Sequence, residues 1–257
     1  MNLEDTVALV TGAGHRLGRV IALTLAEEGC DVLVHYHRSA EPAEETARTI
    51  RQMGRRAETV STDLTDPSLV DALFESFDKH FDRLDILVNS AASFERQPLA
   101  QITCEEWDKV QALNVRAPFL CTQHAALRMR ATETDSHPDQ GVIINLADLS
   151  GLSTWNGYSH HGVSRASVLH LTKVSARELA PDIRVNAVVP GAILPPAEES
   201  LESDTWKARG LRVPLARLGD PLHVSQTVVF LVRNDYVTGA TILVDGGEHL
   251  LAGGRIE

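Results

Sequence analysis

Three groupings of residues in this chain have the types and spacing that chemistry needs. The first is a glycine-rich turn, Thr11-Gly12-Ala13-Gly14-His15-Arg16-Leu17-Gly18, set between a β-branched run and a helical stretch. Glycines there let the backbone approach a pyrophosphate, and a helix amino terminus stabilises its charge. The second, His35-Tyr36-His37-Arg38-Ser39, closes the next apolar run. It has no acid to hold a ribose 2′-hydroxyl. Arg38 supplies a planar fork suited to phosphate and Ser39 a hydroxyl, so the pair predicts a dinucleotide with a 2′-phosphate, NADP(H). His35 and His37 face one side but lack further ligands, so no metal site is predicted. The third is the segment Asp148 to Arg165, which carries Asp148, Tyr158, His161 and Arg165. His161 and Arg165 are one helical turn apart and share a face. An imidazole with an unperturbed pKa of ~6.5 can move protons near neutrality unaided, whereas a phenol at ~10 needs help.

Positioning these groups requires a particular scaffold. Strands are predicted over Thr6–Val10, Asp31–Tyr36, Ala57–Ser61, Asp85–Asn89, Val142–Leu146, Arg184–Val189 and Thr241–Val244. Helices are predicted over Leu17–Glu28, Ala43–Met53, Ser68–Phe81, Glu105–Arg130, Val163–Leu179 and Leu222–Leu231. Regular alternation argues an α/β fold of the Rossmann type, a doubly wound parallel sheet of about seven strands with helices on both faces. Neither repeat nor linker interrupts it, so residues 1–257 read as a single NADP(H)-binding domain. Thr132–Gly141 and Pro190–Ser203 read as loops, the second following a strand end, where ligands bind in such sheets.

Composition narrows the function classes. A chain of 257 residues can bury a sizeable core, and 43% hydrophobic with 5% aromatic residues makes that core aliphatic. A net charge of -11 gives a nucleic-acid partner no electrostatic support. No run approaches the ~18 apolar residues a bilayer span needs. Met1-Asn2-Leu3-Glu4-Asp5 lacks the blocks of a signal peptide, and Cys30, Cys104 and Cys121 read as reduced thiols, so a cytoplasmic protein is expected. His80, His124, His137, His170, His223 and His249 lack ligand spacing and are expected in surface or packing roles.

The order of these pieces resembles the short-chain dehydrogenase/reductase family over essentially the whole chain. The glycine turn is similar to T-G-x-x-x-G-x-G with Arg16 in place of the middle glycine. Asp63-Leu64 stands where the family contacts adenine, and Asn89-Ser90-Ala91-Ala92 resembles Asn-Asn-Ala-Gly. Asn114 matches a helix Asn that shapes the site; Pro190-Gly191, Thr238-Gly239 and Val244-Asp245-Gly246-Gly247 complete the pattern. The resemblance implies a cofactor site of Gly12, His15, Arg16, Leu17, Gly18, His37, Arg38, Ser39, Asp63, Leu64, Asn89, Ser90, Ala91, Arg165, Pro190, Gly191 and Ile193. It also implies a homotetramer built on the long helices after strands four and five.

The family's chemistry usually rests on Tyr-x-x-x-Lys. Counted without gaps from Leu171-Thr172 and Arg184-Val185-Asn186-Ala187, the Lys position holds Arg165, the Tyr position His161 and the preceding Ser position Asp148. Tyr158 is the rival for the Tyr position but has Gly162, not a cation, four residues on. Asp148, His161, Arg165 and Asn114 are therefore the implied catalytic set. Arg165 would keep the ribose contact; it disfavours a protonated His161 while Asp148 favours one, which leaves the net shift open.

Within the family, three features resemble pteridine reductases: Arg16 in the turn, the string His35 to Ala40, and Phe94, where that group stacks a pterin ring. The implied substrate site is Arg16, Phe94, Asp148, Tyr158 and His161. The leading expectation is an NADPH-dependent reductase of a pterin-like dihydropterin or other cyclic imine, whose basic nitrogen takes its proton from solvent or Asp148. The competitors are a carbonyl/alcohol oxidoreductase with His161 as general acid/base, and a non-catalytic NADP(H)-binding sensor or scaffold.

Overall fold

Short runs of Val, Ile and Leu that are apolar on both sides of the pleat need cover on both faces. In the computed structural model, which describes residues 1–131, 141–196 and 200–251, they receive it. The strands are β1 (Val7–Val10), β2 (Asp31–Tyr36), β3 (Ala57–Ser61), β4 (Ile86–Asn89), β5 (Gly141–Leu146), β6 (Ile183–Pro190) and β7 (Thr241–Val244). They form one sheet in the order β3-β2-β1-β4-β5-β6-β7, with every neighbouring pair parallel. The chain winds outward from β1 to β3, returns to lay β4 beside β1, and winds outward again. That reversal puts the switch point, where such sheets bind ligands, at the carboxyl ends of β1 and β4.

The helices are α1 (Arg16–Glu27), α2 (Ala40–Gln52), α3 (Pro67–His80), α4 (Cys104–Gln111), α5 (Ala117–Ala131), α6 (Ser159–Leu179), α7 (Asp204–Arg212) and α8 (Pro221–Arg233). Alternate strand residues divide the core between two faces. Ala8, Val10, Val32, Val34 and Ile86 pack with Ile21 and Leu25 of α1 and Val224 and Val228 of α8. Leu9, Leu33, Leu87 and Ile143 pack with Phe74 and Phe77 of α3 and Cys121 and Met129 of α5. Burial pushes the Cys30 and Cys121 thiols up to about 12, so both serve as core filler; Cys104 is exposed.

Three features differ from the sequence reading. The helix expected over Glu105–Arg130 is α4 and α5 joined through a π-helical turn, Ala112–Arg116, which carries Asn114. Helix α7 was not expected; it is short, and a Ser203 hydroxyl accepting from the Trp206 amide caps it. Helix α6 begins four residues earlier than the periodicity predicts and so includes His161. Of the loop expected over Thr132–Gly141, Gly141 is instead the first residue of β5, and the rest, with His137, lies outside the described residues. Among the described residues, no helix is long and apolar enough to cross a membrane.

Candidate active site

The glycine turn follows β1 and is built for close approach. Gly12 has φ +66°, and a Cβ there would lie 3.0 Å from the Ala91 Cα. A Cβ on Gly18 would lie 2.3 Å from the Gly12 carbonyl oxygen, and one on Gly14 would lie 3.3 Å from the Ser39 carbonyl oxygen. The Thr11 hydroxyl accepts from the Ser90 and Ala91 amides at 2.9 and 3.0 Å, tying this turn to the one after β4. His15 flanks α1 at its amino end, and Leu17 packs its half-buried side chain on the core. This is a backbone cradle of the kind a pyrophosphate occupies.

Arg16 holds φ +54°, a left-handed conformation that glycine adopts more easily. Its guanidinium donates at 2.6 Å to the Pro195 carbonyl, across 179 residues of sequence. Instead of reaching free into the site, Arg16 joins the glycine turn to the segment after β6. That segment leaves β6 through Gly191-Ala192-Ile193 and reaches Pro195: the Gly191 amide donates to the Val244 carbonyl at 3.1 Å, and the Ala192 amide to Glu248 Oε2 at 2.9 Å.

At the end of β2, His37 and Arg38 are exposed and Ser39 half-buried beside the cradle. Asp63 accepts from the Thr65 amide and hydroxyl at 2.9 and 2.7 Å, which holds its carboxyl below the ordinary range, and it lies 3.7 Å from His37. Leu64 is buried. Asn89 is buried too, its amide donating to Asn145 Oδ1 at 2.8 Å; Asn145 in turn donates to the Thr172 hydroxyl at 2.9 Å. Asn89 thus braces β4 against β5 and α6.

The predicted chemical groups converge. Asp148 follows β5, and its carboxylate is fully engaged. Oδ1 accepts from the Ser150 amide and hydroxyl at 2.9 and 2.5 Å. Oδ2 accepts from His161 Nε2 at 2.7 Å and lies 3.2 Å from Arg165 Nε. That second contact is an ion pair without hydrogen-bond alignment, since the Arg165 Nε–H finds no acceptor; Arg165 Nη1 donates to the Leu146 carbonyl at 3.3 Å. Burial alone would raise the Asp148 pKa, but the His161 hydrogen bond, the neighbouring cations and Ser150 outweigh it and bring it down to about 2. Asp148 is therefore an anion at neutral pH, and the expectation that it supplies a proton is corrected.

His161 is wholly buried. Its Nδ1 lies 3.1 Å from the Ser93 carbonyl and its Nε2 2.7 Å from Asp148, both of them acceptors. A ring carrying a proton on each nitrogen satisfies both contacts, and neither nitrogen is free for a substrate. Asn114 is buried on its π-helical turn. It accepts from the Ser93 amide at 2.9 Å and donates to the Ser93 carbonyl and the Ser164 hydroxyl at 3.2 and 3.1 Å. Asn114 therefore fixes the loop whose carbonyl faces His161. Gly151 lets the turn after Asp148 lie on α6, since a Cβ there would come within 2.9 Å of the Arg165 carbonyl carbon.

Over this polar centre stand aromatic rings. Phe94, 49% exposed, has its centroid 4.9 Å from Tyr158 at a 32° tilt and meets His161 edge-on at 4.9 Å. Trp155 joins edge-on at 6.3 Å from Phe94 and 5.9 Å from Tyr158. Sequence reasoning missed Ser93, Ser150, Trp155 and Ser164. Trp155 lay inside the segment already singled out and could have been found there; the backbone role of Ser93 left no signal.

Comparison with known proteins gives the family. A family model described as enoyl-(acyl carrier protein) reductase matches residues 12–249. The 3-oxoacyl-[acyl-carrier-protein] reductase FabG of Staphylococcus aureus is 36% identical over 246 residues, covering 95% of this chain and 98% of that protein. The chain belongs to the short-chain dehydrogenase/reductase family. Among solved structures of the family, acetoin dehydrogenase from Enterobacter cloacae superposes with a TM-score of 0.87 at 32% identity, over 100% of this chain and 99% of that one. A short-chain dehydrogenase from Burkholderia cenocepacia in complex with NADP gives 0.87 at 30% identity, over 96% and 99%. Family membership makes this a protein of an oxidoreductase scaffold.

Proposed function

We propose that this protein is an NADPH-dependent reductase of a cyclic imine, with a dihydropterin as leading substrate. The observation that carries the reading is the state of the polar centre: Asp148 is an anion and both nitrogens of His161 are engaged. A ketone oxygen needs a poised acid as hydride arrives, and this centre holds none ready. A C=N nitrogen is basic enough to be protonated from solvent. A buried carboxylate beside it stabilises the resulting cation, as charges do in a water-poor site.

The cofactor reading rests on the cradle of Gly12, Gly14 and Gly18 and on Arg38 and Ser39 at the end of β2. Bound NADPH supplies the hydride. Phe94, with Tyr158 and Trp155 behind it, offers a flat apolar face on which a planar heterocycle stacks and from which water is excluded. Arg16 holds the Pro190–Pro196 segment against the cradle, and Asn114 keeps the Ser93 carbonyl on His161. The family's tetramer stays part of the reading, because α5 and α6 leave Phe119, Leu127, Val163 and Val174 exposed.

Loss of reduced nicotinamide absorbance tests it, with 7,8-dihydrobiopterin, a quinonoid dihydropterin, dihydrofolate and a simple ketone, between about pH 5 and 8. The expected result is turnover of a dihydropterin with NADPH and at least about tenfold less with NADH, the loss of one charge-assisted phosphate contact. Faster turnover of the ketone would assign the carbonyl chemistry to which FabG's name refers, with His161 as acid. Tight NADPH binding with no oxidation of any substrate would make this a sensor.

A further inference from the structure

His35 is a titratable side chain wedged beneath the cofactor turn, and neither the family pattern nor the proposed reaction gives it a task. It lies on β2, 2% exposed. Its Nδ1 accepts from the Gly12 amide at 3.1 Å, and its Nε2 lies 3.0 Å from the Thr62 carbonyl. A carbonyl can only accept and an amide N–H can only donate, so the two contacts admit one arrangement, with the proton on Nε2 and Nδ1 bare. The His35 carbonyl also accepts from the Ala13 amide at 2.8 Å. One residue thus holds two successive amides of the turn through its ring and its backbone, and its other ring nitrogen grips the segment leading to Asp63.

We propose that His35 is the positioning residue of the cofactor turn: its ring, protonated on Nε2 alone, holds the Gly12 amide and sets the turn for a pyrophosphate. This rests on the dinucleotide reading given above. A second proton would have to sit on Nδ1, pointing at the Gly12 N–H, and would turn an attraction into a repulsion. The charged and titratable groups on the surrounding elements are His37 just beyond β2, Asp63 beyond Thr62, and His15 and Arg16 on the turn. Burial first, and the charge of His37 to a smaller extent, lower the His35 pKa to about 4, against the opposing Thr62 hydrogen bond. The folded state therefore takes its proton later than the unfolded chain does. Stability is full above about 6.5, the ordinary value, and falls as pH drops through about 4.

The test compares wild type, His35→Asn and His35→Ala. Asn keeps an acceptor near the Nδ1 position and cannot titrate; Ala keeps neither contact. At neutral pH we expect NADP+ to bind His35→Ala about tenfold more weakly, the worth of one buried hydrogen bond, and His35→Asn within about threefold of wild type. Nitrogen-15 spectra of the wild-type apoprotein should show a bare Nδ1 and a protected Gly12 amide, a signature that mere core filling would not produce. Chemical denaturation should show the acid loss of stability in wild type and its absence in His35→Asn. Equal NADP+ affinity in wild type and His35→Ala, Asn failing as badly as Ala, or a proton on Nδ1 would each overturn the proposal. Should His35→Ala not fold, the spectra and the Asn variant still decide. Wild-type protein that binds no NADP+ at all would instead remove the cofactor reading, an outcome distinct from these because the spectra need no cofactor.

Discussion

Asp148→Asn is expected to lower the free energy of unfolding at neutral pH by about 3–5 kcal/mol, read from urea denaturation. The carboxylate accepts every hydrogen bond that reaches it from Ser150 and His161, and it is the anion facing the buried Arg165. An amide removes the charge and turns one acceptor into a donor facing His161 Nε2–H. Most of the cost is the penalty of stranding the buried Arg165 cation; it does not measure the worth of the network, since buried ion pairs contribute little net stability once their desolvation is counted. The acid limb supplies a second readout. Because the Asp148 pKa falls from 3.8 to about 2 on folding, its contribution is present above about 3.8 and is lost as pH drops through about 2. That limb, roughly 2 kcal/mol, should vanish in the variant. Turnover of an imine should fall by about 100-fold or more with the anion gone. A variant within about 1 kcal/mol of wild type would mean that the centre is not the buried charge cluster described.

Gly18→Ala should all but abolish cofactor binding while leaving the sheet intact. The new Cβ would sit 2.3 Å from the Gly12 carbonyl oxygen and 2.9 Å from its carbon, both main-chain atoms with no rotamer to swing away. Either α1 slides or the turn opens. Overpacking of this kind costs about 1–3 kcal/mol, and here it falls on the surface that must meet a pyrophosphate. An increase of about 100-fold in the NADPH dissociation constant is expected by titration calorimetry, with far-ultraviolet circular dichroism unchanged. Unaltered affinity would show that the cofactor does not use this turn.

Much of the fold was legible because a parallel sheet writes itself in apolar runs. All seven strands lie within a residue or two of their expected bounds, since Val, Ile and Leu buried on both faces leave little else for those segments to do. The reading failed where local spacing and backbone path part company. Glu105–Arg130 reads as one helical stretch free of internal breakers but for Pro118, and nothing in it marks the π-helical turn that carries Asn114, which bonds Ser93. Helix α7 is polar and follows three prolines, so the chain around it reads as loop. In the site, gap-free counting from Leu171-Thr172 and Arg184-Val185-Asn186-Ala187 brought Asp148, His161 and Arg165 together correctly. Counting could not show that Ser93 and Asp148 occupy both nitrogens of His161, or that Asp148 would be held ionised. Those facts come from a backbone carbonyl and from the hydrogen bonds and the Arg165 charge gathered around one carboxylate, which residue types do not encode. Arg16 teaches the same lesson: its position was evident, its bond to Pro195 was not.

The shared Asp148 Oδ2 makes the order of substitutions matter more than their sum. Conversion of this centre to the Ser, Tyr and Lys usual in the family is a path through intermediates, each of which has to fold. Changing His161 first leaves one buried cation opposite one anion, a balanced pair. Changing Asp148 first strands the buried Arg165 of α6, whose guanidinium is left with the Leu146 carbonyl to face. Neighbours bound through one oxygen are not independent, so single-step effects here cannot be added. A cluster held by a common counterion is therefore crossed by some mutational routes and closed to others, and the carboxylate is the last of the three that can be given up.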